Sequence, residues 1–105
     1  MTKPIRIEPE ADDELLQAAR WYEQRRRGLG LSFLAAIGAA VELIQRHPAG
    51  GIPVPGVRDE VPARRLVLRR FPYAVVFLEL KAEIRILAFA HHRRRPAYWR
   101  DRLRP

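Results

Sequence analysis

Two stretches in the first half of the chain carry apolar residues at every third or fourth position. This spacing predicts amphipathic helices, because it places the apolar side chains on one face. Pro9 and the acidic residues after it suit a first helical turn, Gly28 suits a helix end, and Pro48 stops the second stretch. The short link at 28–30 predicts an αα-hairpin. The apolar positions are Ala11, Leu15, Ala18, Ala19 and Tyr22, then Phe33, Leu34, Ile37, Ala40, Val41 and Ile44.

Shorter apolar runs at the two ends of the chain predict strands. Ile5 and Ile7 alternate with polar residues, and from Arg64 the period is again two, with Leu66 and Leu68 on one face. Segment 73–80 is almost wholly apolar, as expected of a strand covered on both faces, and 84–90 follows after a tight turn. Residues 48–62, rich in proline and glycine, predict a loop.

The last element is predicted to be a short helix over 97–103, with Pro96 at its first position and Trp99 packed on the sheet or the hairpin. The resulting order is β-α-α-β-β-β-α. The expected fold class is α+β: an antiparallel sheet with the N-terminal helical hairpin on one face and the short C-terminal helix. At 105 residues, the chain is expected to form one domain over 1–105.

The charged residues are unevenly distributed along the chain. Residues 1–60 hold 8 Lys/Arg and 9 Asp/Glu, whereas residues 61–105 hold 12 and 3, so the net charge of +8 arises in the second half. The absence of cysteine excludes disulfides and thiolate metal sites and fits a cytoplasmic protein. With no apolar run near the length of a membrane span and no apolar signal-peptide core, no membrane partner is expected.

The basic half contains an arginine-rich segment directly after the last predicted strand. His91 and His92 precede three arginines, Pro96 and Tyr98. Clustered arginines and aromatic rings favour an anionic partner, because guanidinium groups bind phosphate or carboxylate and stack on rings. The predicted contact residues for a target or a nucleic acid are Arg65, Arg69, Arg70, Tyr73, His92, Arg93, Arg94, Arg95 and Tyr98.

Several short motifs, in order along the chain, resemble those of one family. They are Trp21-Tyr22-Glu23, Gly28-Leu29-Gly30 with Phe33, His47-Pro48, Phe71-Pro72-Tyr73, Ala90-His91, and Arg94, Pro96, Tyr98-Trp99 and Arg102. In this order and at these spacings, the chain resembles the RelE/ParE toxin superfamily of type II toxin–antitoxin systems, also described as plasmid stabilisation proteins. The resemblance covers nearly the whole chain and implies a toxin neutralised by a cognate antitoxin, which we expect to be acidic.

The resemblance implies two possible targets. RelE-like members act on the ribosome and cleave mRNA, whereas ParE-like members inhibit DNA gyrase by binding. The catalytic candidates for a nuclease are His91, Tyr98, Arg69 and Arg94, since RNA cleavage needs a base, an acid and cations on the phosphate. The alternative role for His91 is structural: a strand-end residue hydrogen-bonded to the C-terminal helix.

The residues favour the ParE-like branch. Segment 64–70 holds arginines and no lysine, and arginine is too basic to act as a general acid or base. We therefore expect a gyrase inhibitor without a cofactor or metal. Adjacent His91 and His92 point to opposite faces of a strand and cannot share a metal. The alternatives are a ribosome-dependent mRNA endonuclease and a non-toxic basic domain that binds nucleic acid.

Overall fold

The computed structural model describes residues 2–54 and 63–103, and two helices cover one face of a five-stranded sheet. The helices are α1 (Pro9–Arg25) and α2 (Leu29–Arg46), and the strands are β1 (Ile5–Ile7), β2 (Ile52–Pro53), β3 (Ala63–Val67), β4 (Tyr73–Glu79) and β5 (Ile84–His91). Short 3₁₀ helices span Pro48–Gly50 and Tyr98–Arg102. The α+β class and the order of the main elements are those predicted.

The sheet has the strand order β1-β5-β4-β3-β2 and is mixed. The meander β3-β4-β5 is antiparallel, as predicted, but β1 pairs with β5 in parallel, with Ile5 opposite Ile84. A parallel pair needs a long connection, and the helical hairpin and the other strands supply it. The predicted loop 48–62 contains β2, which pairs with β3; residues 55–62 of that loop lie outside the described residues.

The geometry of the link between α1 and α2 requires glycine at two positions, 28 and 30. Gly28 has φ = 88°, a left-handed conformation that glycine adopts without strain, and it caps the start of α2. The Glu23 carboxylate accepts hydrogen bonds from Gly28 N–H at 2.9 Å and Gly30 N–H at 3.0 Å. At Gly30 the helices approach so closely that a Cβ would lie 2.6 Å from the Ala19 carbonyl oxygen. The predicted hairpin is confirmed, but the assignment of Gly28 to the end of the first helix is wrong: Arg26 caps the end of α1, and Gly28 caps the start of α2.

Each face of the sheet has its own core. Phe33, Phe77 and Phe89 are fully buried in the core between the sheet and the hairpin, and α2 inserts its apolar stripe there. On the other face, Trp99 is 2% exposed and packs in a second cluster with Val76 and Leu87. The predictions that β4 is covered on both faces and that Trp99 is part of the core are therefore confirmed.

Helix α2 is also long and apolar enough to cross a membrane by length and composition, with a mean hydropathy of 1.4 over 18 residues. This differs from the expectation that no run approaches that length. Phe33, Ile37 and Ile44 pack in the core, which explains one apolar stripe, but only 28% of this stretch is buried, and Leu31 and Leu43 are exposed.

The C-terminal element corrects a prediction. It is a 3₁₀ helix over Tyr98–Arg102 and not a helix over 97–103 that begins with Pro96 at its first position. Ala97 precedes it with φ = 57°, in the left-handed region, so Pro96 lies in the turn outside the helix. This short helix places Trp99 against the sheet and Arg102 beside β5. Helices of the 3₁₀ type are usually this short.

Candidate functional site

A cleft of about 610 Å³ opens between α1, the end of β5 and the C-terminal segment. Five aromatic side chains from α1, β4, β5 and the C-terminal 3₁₀ helix form much of its lining, so we name it the aromatic cleft. Its lining residues are Glu14, Gln17, Ala18, Trp21, Tyr22, Pro72, Tyr73, Phe89, His91, Arg94 and Tyr98. It brings together the predicted residues Tyr73, His91, Arg94 and Tyr98. Arg69 is not among the lining residues.

Glu14 organises one end of the aromatic cleft. Its carboxylate accepts hydrogen bonds from the Tyr98 hydroxyl, from Arg102 Nη1 at 2.8 Å and from the Phe89 backbone N–H at 3.2 Å. Arg102 Nη1 also donates to the Leu87 carbonyl at 2.9 Å. We call this set of contacts the Glu14 latch, and it joins α1, β5 and the C-terminal 3₁₀ helix.

The latch exists because β1 is too short to pair with all of β5. Its parallel register ends at Ile7 opposite Ile86, so beyond that point β5 has no neighbouring strand on this edge, although β4 continues on the other. The pairing of β4 with β5 is irregular there: Phe77 lies opposite Ile86 and Val76 opposite Ala88, which leaves Leu87 as an extra residue. Glu14 and Arg102 satisfy the backbone groups that would otherwise be unpaired.

The latch determines the chemistry of Tyr98. Burial and the hydrogen bond to Glu14 raise the pKa of the Tyr98 hydroxyl above its usual value. The Arg94 guanidinium lies 3.9 Å from the centre of the Tyr98 ring, a cation–π contact. The hydroxyl is therefore a donor to a carboxylate, and the Arg94 cation lies over the ring.

His91 ends β5 and faces Tyr73, with the two ring centres 5.1 Å apart in an edge-to-face arrangement. Its Nδ1 accepts a hydrogen bond from Arg93 N–H at 3.0 Å. Burial, and then the charges of Arg93 and His92, lower the pKa of His91. The ring is thus neutral near pH 7, and because Nδ1 is an acceptor, the proton lies on Nε2. The hydrogen bond predicted to the C-terminal helix goes instead to the turn at Arg93.

The remaining predicted contact residues lie in three places. Arg65, His92 and Arg95, together with Arg94, line a second, smaller cavity against the sheet face opposite the hairpin. Arg69 and Arg70 are exposed in the turn between β3 and β4. Arg93 is exposed in the turn after β5. The two cavities adjoin, since His91, Arg94 and Tyr98 line both, whereas Arg69, Arg70 and Arg93 line neither.

Sequence reasoning missed Glu14 and Arg102 as partners of Tyr98. In the sequence, Glu14 is one of several acids near a helix start, and its partner Tyr98 lies 84 positions away. Trp21, which is half exposed in the aromatic cleft, was noted only as part of a family motif. A large aromatic residue off the apolar stripe of α1 is the signal that would have indicated a surface role.

Comparison with known proteins decides the family. The family model described as the ParE toxin of the type II toxin–antitoxin system parDE matches residues 5–96. The chain belongs to the ParE toxin family. This ParE toxin is a component of a type II toxin–antitoxin system, and such a system pairs it with an antitoxin. The resemblance expected from the sequence is therefore confirmed.

The fold of this ParE toxin is similar to a solved structure described as the chromosomal ParDE toxin–antitoxin system from P. aeruginosa. The TM-score is 0.71 at 21% sequence identity, over 85% of this chain and 95% of the other. No curated protein sequence matches the chain. Within residues 2–54 and 63–103, no three His, Cys, Asp or Glu side chains cluster closely enough to hold a metal ion. The expected absence of metal and cofactor stays a prediction.

Proposed function

We propose that this toxin inhibits DNA gyrase by binding, acts in the cytoplasm and is neutralised by an acidic antitoxin. The family assignment supports a toxin of this class. Action by binding is supported by the hydrogen bonds of the residues in the aromatic cleft, because cleavage of RNA needs a free general base and a free general acid.

Two of the predicted catalytic residues in the aromatic cleft already have hydrogen-bond partners on the atoms that a nuclease would use. The basic nitrogen of His91 is already bound to Arg93 N–H, and the Tyr98 hydroxyl is bound to Glu14. The raised pKa of Tyr98 makes it a poorer acid, and Arg94 remains charged at any physiological pH. These contacts support a toxin that acts by binding, and they make the mRNA endonuclease the weaker alternative.

The helical hairpin is the surface that we assign to the antitoxin. Leu31 is 72% exposed on α2, and Leu16 and Trp21 on α1 are about half exposed. Apolar side chains at such positions favour a partner that covers them. The net charge of +8 favours an acidic partner. We expect Leu31→Ser to weaken antitoxin binding more than Ala39→Ser, a matched change at another exposed position of α2.

Pulse-labelling after induction in bacteria tests the target. We expect DNA synthesis to stop before protein synthesis, and His91→Gln to leave toxicity unchanged. His47→Gln, at the exposed end of α2, is the matched control. If protein synthesis stops first and only His91→Gln abolishes toxicity, the endonuclease replaces the gyrase inhibitor. If neither synthesis is affected but the free chain binds bare duplex DNA in a salt-dependent manner, the protein is a non-toxic nucleic-acid-binding domain.

A further inference from the structure

A second cavity, of about 210 Å³, lies against the sheet face opposite the hairpin. Small apolar side chains form its floor: Ala74, Val76 and Ala90. The turn after β5 and the C-terminal 3₁₀ helix form its walls. Arg65, His92, Arg94 and Arg95 also line it, and we name it the basic pocket.

Arg65 is unusual among these residues. It lies opposite Val76 in the pairing of β3 with β4, so its stem crosses the sheet face that Trp99 covers. Its Nε is buried and has no hydrogen-bond partner among the described residues. A buried polar atom that has lost its water without gaining a partner destabilises the folded protein. A ligand that accepts a hydrogen bond from this nitrogen would relieve this destabilisation.

The charges around the pocket have one sign. Its lining includes three arginines, and none of the described lining residues is acidic. Stacking on the Tyr98 ring holds the Arg94 guanidinium in place. Arginines gathered around one small cavity repel each other, so the arrangement is stabilised when an anion binds between them.

We propose that the basic pocket binds a phosphate group, held by Arg65, Arg94 and Arg95. Guanidinium groups bind phosphate through paired N–H donors, and a tetrahedral phosphate accepts from several directions at once. The pocket is about one-third the volume of the aromatic cleft, which is enough for a phosphate group. The phosphate belongs either to a free ion or mononucleotide, or to a nucleic-acid backbone.

This proposal does not depend on gyrase as the target. It is tested on the purified toxin by following backbone amide NMR signals while inorganic phosphate is added at constant ionic strength. We expect saturable shifts confined to β3, the end of β5 and segment 92–99. Arg65→Gln and Arg95→Gln should each weaken phosphate binding about tenfold, the loss of one charged hydrogen-bonding group.

Arg20→Gln is the matched control, because Arg20 is exposed on α1 on the other side of the sheet. It should leave phosphate binding unchanged. Arg95 is exposed in a turn, so its variant is expected to keep the fold, and circular dichroism checks this for each protein. Equal shifts with added chloride, or equal weakening by Arg20→Gln and Arg95→Gln, would overturn the proposal.

Two further ligands distinguish the sources of the phosphate. If a nucleoside 5′-monophosphate binds as well as a short single-stranded oligonucleotide, the ligand is a terminal or free phosphate. If the oligonucleotide binds more tightly than the monophosphate, and Arg65→Gln abolishes this difference in affinity, the pocket holds one phosphate of a nucleic-acid backbone. A glutamate-rich peptide that shifts the same signals while phosphate does not would refute phosphate recognition and indicate a carboxylate pocket.

Discussion

Glu14→Ala tests the latch most severely, because one carboxylate serves three groups. The change leaves Arg102 without its ion pair, Tyr98 without its acceptor and Phe89 N–H unpaired at the edge of β5. Removing one partner of a buried ion pair costs about 3–5 kcal/mol. The Arg102 and Glu14 side chains are 13% and 17% exposed, so water partly solvates the pair and the lower end of this energy range applies. We expect a loss of about 3 kcal/mol in the free energy of unfolding.

Urea denaturation at pH 7 measures this loss, and a thermal melt should show a fall of about 12 °C for a chain of this size. Asp13→Ala is the control: Asp13 is the neighbouring exposed acid on α1, and its loss should cost no more than about 0.5 kcal/mol. Combining Glu14→Ala with Arg102→Ala should cost less than the sum of the two, since the unpaired charge is removed. Equal effects of Glu14→Ala and Asp13→Ala would refute the latch.

Three further predictions concern packing and protonation. Gly30→Ala should destabilise the hairpin by about 2 kcal/mol in urea, since its Cβ meets the Ala19 carbonyl, whereas Gly38→Ala, with open space around it, should be neutral or stabilising. Trp99→Ala should cost about 3–5 kcal/mol by the same assay. The folded state lowers the pKa of His91, so the neutral ring stabilises the fold fully above about pH 6.5, and this stabilisation is lost as the pH falls below that value. His91→Gln should therefore reduce the pH dependence of the free energy of unfolding in this range, as measured by urea denaturation.

The helices and the meander were predictable because their signals are local and periodic. The stripe containing Phe33, Ile37 and Ile44 fixes the buried face of α2, and the apolar run of β4 indicates cover on both faces. Strand β2 has no such signal. Ile52–Pro53 is two residues long among glycines and prolines, and it is a strand only because β3 lies beside it.

The candidate site was predictable in composition but not in arrangement. The sequence indicated a basic, aromatic C-terminal segment, and Tyr73, His91, Arg94 and Tyr98 do share the aromatic cleft. It did not indicate that Arg65 and Arg95 line another cavity on the opposite face of the sheet from the hairpin. The two cavities meet at the turn after β5, since His91, Arg94 and Tyr98 line both.

The latch was unpredictable for a different reason. Glu14 has its role because β1 ends early and Leu87 interrupts the pairing of β4 with β5. Both are properties of the assembled sheet, and both lie far from Glu14 in sequence. Side chains that complete the hydrogen bonds of an irregular strand edge are found only once that edge is known.

A supercoiling assay with purified DNA gyrase tests the central claim most directly. The account predicts that increasing amounts of the free toxin stop supercoiling, that the antitoxin restores it, and that His91→Gln inhibits as well as the unaltered toxin. Undisturbed supercoiling, together with cleavage of mRNA on programmed ribosomes that His91→Gln abolishes, would contradict it.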